Sequence, residues 1–148
     1  MNSSFSVRSS RADDVPKLLE VWRRSVDATH DFLTSEDRAI IDRIVAEDYL
    51  PSAKLMVAAD ADDEPVAFLG ANGREIESLF VDPSVHGRGV GRLLVEQFAS
   101  LGEGELRVDV NEQNAGACAF YKRLGFRVSG RSPNDGDGRP YPLLHLVR

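Results

Sequence analysis

The sequence predicts a single α/β domain in which about seven short strands form a sheet flanked by about four helices. Short strand-like segments alternate along the chain with longer segments of helical periodicity. Turns rich in Gly, Pro and Asp separate these segments. The 148 residues fit one domain, and 42% of them are apolar, which is enough for one core. No linker or repeat interrupts residues 1–148, so they are expected to form one unit.

The N-terminal third predicts one strand and two helices. Phe5 to Arg8 alternates apolar and polar residues, as a short strand does. Asp13 is predicted to cap a helix that ends near His30. Thr34 to Asp37 resembles the start of a second helix, which Pro51 is expected to stop. The apolar faces of these two helices are predicted to comprise Val15, Leu18, Leu19, Trp22 and Val26, and Ile40, Ile41, Ile44 and Val45.

The middle of the chain predicts a hairpin and a further strand. Leu55 to Ala59 has the composition of a buried strand, Asp60 to Glu64 forms an acidic turn, and Val66 to Leu69 returns. Ile76 to Val81 is the next strand, and a glycine-dense loop, Pro83 to Gly91, follows it.

The C-terminal part alternates helices and strands. An amphipathic helix from Val90 to Leu101 precedes the strand Leu106 to Val110. A second helix, marked by Ala117, Phe120, Tyr121 and Leu124, is expected to end at a left-handed cap on Gly125. The last two strands are predicted at Arg127 to Gly130 and Leu143 to Val147, with a polar loop between them.

The charge and cysteine content narrow the class of protein. Lys and Arg number 18 against 24 Asp and Glu, so the net charge of −6 argues against nucleic acid as a partner. Cys118 is the only cysteine, which suits a reducing compartment. Met1 to Ser10 lacks the apolar core of a signal peptide, and no apolar run approaches the ~20 residues of a membrane span. We therefore expect a cytoplasmic protein that has no membrane partner.

The glycine-dense loop is the main functional signal. It connects the end of a strand to the start of a helix and contains Gly87, Gly89 and Gly91. Such a turn can direct several backbone N–H groups at one anion, and the helix dipole favours negative charge there. Arg88 and Arg92 can add charge-assisted hydrogen bonds. This combination suits a pyrophosphate.

Other interpretations of the loop can be compared with this one. A Walker loop needs Gly-Lys-Ser or Gly-Lys-Thr, and neither tripeptide occurs. A dinucleotide fingerprint needs a third glycine at a position that Arg92 or Leu94 occupies, and it belongs in an early βαβ unit. A tight turn whose glycines serve sterics alone remains an open alternative.

The chain resembles the GNAT superfamily, the GCN5-related N-acetyltransferases, and most closely its small bacterial YjaB-like branch. The block from Val81 to Leu94 matches the coenzyme loop of that family. The segment from Asn114 to Phe126 matches the family's Asn-to-Tyr-to-Gly-Phe pattern. The order of helices and strands agrees over nearly the whole chain. One departure is His86, which stands where the family usually has Gln or Arg.

The resemblance implies a mixed, mostly antiparallel sheet that is splayed in the middle, where the pantetheine arm of acetyl-CoA pairs with the backbone near Val81. No metal is implied. The coenzyme-binding residues carried over from the family are Phe80, Val81, His86, Gly87, Arg88, Gly89, Val90, Gly91, Arg92, Asn114 and Tyr121.

The resemblance also implies catalytic roles. Tyr121 matches the family's general acid, which would protonate the departing thiolate, and this match favours the acid role over the alternative of a core residue on an apolar helix face. Glu75 and Glu77 are the candidate bases. They are expected to share one face of their strand, because side chains alternate along a strand. Some family members use a water chain instead, and a solvated strand edge is the structural alternative.

Residues between the first two helices are expected to flank the acceptor. His30, Asp31 and Phe32 belong to this group, and His30 and Asp31 are candidates to contact an amine or shuttle protons. Asp109, on a facing strand, is a further candidate. The scattered histidines and single cysteine provide no metal-ligand cluster.

The expected function is N-acetyltransfer from acetyl-CoA to a primary amine by direct attack. The acceptor is a small-molecule or peptide amine that the sequence does not identify. The alternative is a non-catalytic sensor of CoA or acyl-CoA, and a nucleotide-binding protein is a weaker third possibility. The family relationship favours a monomer or homodimer.

Overall fold

All seven predicted strands form one sheet in the computed structural model, which describes residues 5–148. Residues 1–4, the first part of the polar N-terminal segment, lie outside the described residues. The strands are β1 (Ser6–Ser9), β2 (Met56–Ala59), β3 (Pro65–Asn72), β4 (Glu75–Val81), β5 (Arg107–Asn111), β6 (Arg127–Ser132) and β7 (Leu143–Val147). Their order in the sheet is β1-β2-β3-β4-β5-β7-β6. Neighbouring strands are antiparallel except β4 and β5, so the sheet is mixed and mostly antiparallel, as expected.

Among residues 5–148, five α-helices form four separate helical segments, because the second and third helices are continuous with each other. The helices are α1 (Val15–Thr29), α2 (Ser35–Ile44), α3 (Leu50–Ser52), α4 (Val90–Ser100) and α5 (Ala115–Arg123). A π-helical turn, Val45–Tyr49, joins α2 directly to α3, so these three segments form one continuous helical run. This helical run ends at Ser52, one residue after the predicted end at Pro51. Proline is tolerated there because it lies in the first turn of α3, directly after the π-helical turn. Among the described residues, no helix has the length and apolar character needed to cross a membrane.

The two predicted helix starts have different outcomes. Thr34 caps α2, and its hydroxyl accepts the backbone N–H of Asp37 at 3.1 Å, which confirms the prediction. The predicted cap at Asp13 is wrong. A short 3-10 turn (Ala12–Asp14) precedes α1, and Asp14 stands at the cap position. The Asp14 carboxylate accepts the backbone N–H of Arg11 at 2.7 Å, whereas Asp13 is exposed.

The sheet separates two hydrophobic cores. One core lies against α4 and α5 and includes Leu94, Val95, Phe98, Tyr121 and Phe126. The other lies against α1 and includes Leu18, Val21, Trp22, Val26 and Phe68. The predicted apolar face of the second helix is only partly confirmed. Val45 is buried and Ile41 is partly buried, but Ile40 and Ile44 are exposed.

The sheet opens in its middle. The parallel pair β4–β5 has only two paired positions, Glu75 with Arg107 and Ile76 with Val108, and the strands then separate. In the adjoining β3–β4 pair, Ser78 faces Gly70 and Ile76 faces Ala71, so Glu77 is the extra residue of a β-bulge. The end of β4 therefore lies beside a gap, as the resemblance implied.

Candidate active site

A cavity of about 540 Å³ lies where β4 separates from β5. Its walls are the end of β4, the glycine-dense loop with the start of α4, one face of α5, and the last turns of α1. The lining residues are Ser25, Thr29, His30, Leu79, Phe80, Val81, Val85, His86, Gly87, Gly89, Val90, Gly91, Arg92, Asn114, Gly116, Ala117, Phe120, Tyr121, Arg123 and Leu124. The structure thus brings together ten of the eleven residues that the resemblance assigned to the coenzyme; the eleventh is Arg88.

The loop requires glycine for two different structural reasons. Gly87 and Gly89 adopt φ values of 78° and 79°, in the left-handed region that disfavours side chains. Gly91 has ordinary helical geometry, but a Cβ there would lie 3.1 Å from Cζ of Phe120. Two glycines therefore shape the turn, and the third allows α4 to pack closely against α5.

Gly89 is the N-cap of α4, an 11-residue helix. The first N–H groups of a helix have no partner within the helix, and the dipole makes this end electropositive. Asp82 stabilises the preceding turn by accepting the backbone N–H of Ser84 at 2.9 Å. This segment can therefore bind an anion with main-chain donors.

The cationic side chains around the loop differ in position. Arg92 lines the cavity, whereas Arg88 does not. The Arg88 guanidinium instead lies 4.8 Å from the ring centre of Phe5. Arg123 also lines the cavity and was missed from the sequence. Its spacing from Phe120, at i+3 on α5, was the signal that could have identified it. His86 places Nε2 3.2 Å from the carbonyl oxygen of Val81.

The α5 wall carries the phenol that the resemblance singled out. Tyr121 is 4% exposed, and its ring packs edge-on against Phe120 and Phe126, at centroid distances of 5.0 and 5.2 Å. Within residues 5–148 its hydroxyl has no hydrogen-bond partner, and the residue lines the cavity. Burial raises the pKa of Tyr121 far above its ordinary value, so the hydroxyl keeps its proton at neutral pH. Asn114 begins this helix, and its Oδ1 accepts the N–H of Ala117 at 3.1 Å.

His30 lies on the opposite side of the cavity, directly after α1. Its ring contacts Phe32 and Phe80, at centroid distances of 5.3 and 6.4 Å. Nδ1 lies 2.7 Å from Oγ1 of Thr29. Burial lowers the pKa of His30 below its ordinary value of 6.5. The imidazole is therefore neutral at pH 7.

The two candidate glutamates lie outside the cavity lining. Glu75 is half-buried at the start of β4, and Glu77 is exposed at the bulge. The bulge interrupts the regular alternation of side chains, so the reason for expecting both residues on one face does not apply here. Glu77 lies close enough to Tyr49 for its charge to contribute to raising the pKa of that phenol, though burial is the larger cause.

The remaining acceptor candidates lie beyond the cavity. Phe32 packs on Tyr141, with ring centres 5.9 Å apart. Asp109 accepts a hydrogen bond from Nδ1 of His145 at 2.6 Å, since a carboxylate can only accept, and Nε2 of His145 lies 2.7 Å from Oγ of Ser132. Asp31 is exposed on the loop after α1. Across the part of the chain that the structure describes, no three His, Cys, Asp or Glu side chains are arranged to bind a metal ion.

Known proteins are similar to this chain in sequence over nearly its whole length. The chain matches the model of the Acetyltransferase (GNAT) family over residues 17–126. The peptidyl-lysine N-acetyltransferase YjaB of Salmonella typhimurium is 49% identical over 143 residues, which cover 97% of each chain. YjaB of Escherichia coli is also 49% identical, over 97% of this chain and 96% of that protein.

Solved structures agree with this relationship. The solution structure of apo-form YjaB from Escherichia coli has a TM-score of 0.91 and 48% identity, and covers 97% of this chain and 96% of that one. The PaiA N-acetyltransferase of Thermoplasma acidophilum, solved in complex with coenzyme A, shares the fold with a TM-score of 0.78 at 22% identity, over 99% of each chain. The resemblance is confirmed: this chain belongs to the GNAT family of acetyltransferases.

Proposed function

We propose that this enzyme transfers the acetyl group of acetyl-CoA to the ε-amine of a lysine side chain in a peptide or protein. The observation that carries the proposal is one cavity lined by both the anion-binding turn at the start of α4 and the buried phenol of Tyr121. The YjaB relatives, which are named peptidyl-lysine N-acetyltransferases, support lysine as the acceptor.

The residues present fit acetyl-CoA as a substrate. The turn at Gly87 and Gly89 offers main-chain N–H groups for the pyrophosphate, and Arg92 adds positive charge beside it. Phe80 and Val81, at the end of β4 next to the gap, offer a strand edge for the pantetheine amides. Tyr121 is protonated at neutral pH and can give its proton to the departing thiolate.

The reaction needs a neutral amine, because an ammonium has no lone pair. A lysine amine has a pKa near ~10.4, so a base must remove its proton near neutral pH. Glu75 and Glu77 remain candidates from the sequence, and both lie outside the lining of the cavity.

Titration with acetyl-CoA in a calorimeter, followed by an assay for released thiol, tests the proposal. The acceptors are a lysine peptide, the same peptide with lysine replaced by arginine, and a panel of small amines. We expect acetyl-CoA to bind and thiol release to require the lysine peptide. Binding without thiol release from any amine would instead support the acyl-CoA sensor.

A further inference from the structure

We propose that His30 is the general base of this enzyme and that its Nε2 accepts the proton of the acceptor ammonium. This inference rests on the proposed acetyl transfer to an amine. His30 follows the last turn of α1, whereas both glutamates considered from the sequence lie on β4 outside the cavity.

The hydrogen bonds at the end of α1 fix the tautomer of His30. The Thr29 hydroxyl donates its single proton to the carbonyl oxygen of Ser25 at 2.7 Å. The same oxygen lies 2.7 Å from Nδ1 of His30. Because the hydroxyl proton is already used, Nδ1 must be the donor in this contact. In the neutral ring, Nε2 then carries the lone pair that a base requires.

The position of the ring is also fixed. Phe32 and Phe80 both contact it, and Thr29 holds one edge. Nε2 has no hydrogen-bond partner among residues 5–148. His30 and Tyr121 line the same cavity, one on the α1 side and one on α5. A neutral imidazole and a protonated phenol are therefore available at one reaction centre, the first as base and the second as acid.

The surroundings keep His30 neutral. Several titratable and charged groups lie on the elements around His30. They are Asp31 on its own loop, Arg24 on α1, Asp82 at the end of β4, His86 in the glycine loop, Arg92 on α4, Tyr121 and Arg123 on α5, and Tyr141 with Asp37 behind Phe32. Arg24 and Asp82 pair with each other at 3.1 Å. Burial alone lowers the pKa of His30, so protonation requires a pH below 6.5.

The proton balance of the step is complete. The ammonium gives one proton to Nε2, and the nitrogen lone pair forms the C–N bond at the thioester carbonyl. The C–S bond breaks, its electron pair leaves on sulfur, and the Tyr121 hydroxyl protonates the thiolate. The second nitrogen proton returns through water to the tyrosinate, and the imidazolium releases its proton to solvent. One ammonium and one thioester thus yield one amide, one thiol and one proton.

The pH dependence of kcat/KM for a lysine peptide tests this role. In the wild type, kcat/KM should increase with pH as His30 loses its proton, with a midpoint below pH 6.5. It should then stay constant up to the lysine pKa near ~10.4. In His30→Gln the rate should depend on the free amine alone and increase about tenfold per pH unit across that range. At pH 7 we expect a loss of at least about 100-fold, with acetyl-CoA affinity within twofold of the wild type.

Three further measurements separate this role from a structural one. Added imidazole should restore part of the rate of His30→Ala. His145→Gln, a matched histidine replacement outside the cavity, should keep the plateau, as should Glu75→Gln and Glu77→Gln. A wild type without a plateau, or loss of the plateau in a glutamate variant, would overturn the proposal. A wild type that acetylates no amine at all would overturn the proposed function and the role of His30 together, whereas the other outcomes concern His30 alone.

Discussion

The Arg8 guanidinium forms two parallel hydrogen bonds with the Asp14 carboxylate, at 2.8 and 3.0 Å. This pair ties β1 to the start of α1, and both side chains are largely buried. The bond to Arg8 is the main cause of the lowered pKa of Asp14. The carboxylate therefore stabilises the fold only while it is ionised.

Replacing Asp14 with Asn should lower the free energy of unfolding by about 2 kcal/mol at pH 7, because Arg8 loses its two bonds to the buried carboxylate and keeps the exposed carboxylate of Asp63 as a charged partner. The pKa of Asp14 is lower in the folded chain than its ordinary 3.8, so this stabilisation is full above 3.8 and disappears as the pH falls through the folded pKa. Urea unfolding between pH 7 and 2.5 measures it. Asp13→Asn, at the neighbouring exposed carboxylate, is the control and should change stability by less than about 0.5 kcal/mol. Equal effects of the two variants would contradict the assignment.

Tyr121→Phe should reduce kcat for the lysine peptide by about 100-fold or more, because the thiolate loses its proton donor. The ring keeps its packing on Phe120 and Phe126, so stability and acetyl-CoA affinity should change little. Steady-state kinetics and calorimetry on the same preparation provide the comparison. An unchanged kcat would rule out the acid role and leave Tyr121 as a core residue.

Gly89→Ala should weaken acetyl-CoA binding by at least about tenfold, because the turn must leave its left-handed geometry or place a methyl group among the N–H donors. Gly138→Ala is a matched control in the β6–β7 loop, since Gly138 has a φ of 81° and an added Cβ there also meets no atom within 4 Å. Both variants should lose about 1 kcal/mol of stability from backbone strain, but only Gly89→Ala should lose affinity. Calorimetric titration distinguishes them, and equal affinities would argue for a purely steric turn.

Tyr141→Phe should raise KM for the lysine peptide several-fold without changing acetyl-CoA affinity. The Tyr141 hydroxyl donates to the Asp37 carboxylate and accepts the N–H of Thr34 at 3.3 Å, so it joins the β6–β7 loop to the start of α2. Its loss should cost about 1–3 kcal/mol of stability, because the Asp37 carboxylate loses a hydrogen-bond donor and keeps the Arg139 guanidinium at 3.7 Å. A change in acetyl-CoA affinity instead of KM would show that this contact supports the coenzyme side.

Local patterns were enough to predict the strands and the glycine turn. The alternation in Leu143 to Val147 and the glycine spacing at Gly87 and Gly89 depend only on neighbouring residues, and the structure has both features where they were expected. The gap beside Val81 was expected from the resemblance to the GNAT family, and not from any local pattern.

Other features depend on contacts between distant residues. Asp14, and not Asp13, occupies the N-cap position of α1, and the Asp14 carboxylate is bound by Arg8, which lies on β1. The bulge at Glu77 arises from pairing with Gly70 and Ala71, and no local pattern marks it. The tautomer of His30 follows from the Thr29 hydroxyl, which donates its proton to the carbonyl oxygen of Ser25. Only the three-dimensional structure shows this arrangement.

The placement of β7 between β5 and β6 has a consequence for how the chain acquires its structure during synthesis. β1 to β4 can pair with one another once β4 has left the ribosome, because β2, β3 and β4 each pair with the strand that precedes them in the chain. Among the strands of residues 5–148, β6 pairs with β7 alone, so it must wait for a strand made after it. Nascent chains arrested before Leu143 should therefore expose β6 to proteases and chaperones, while the first four strands are already protected.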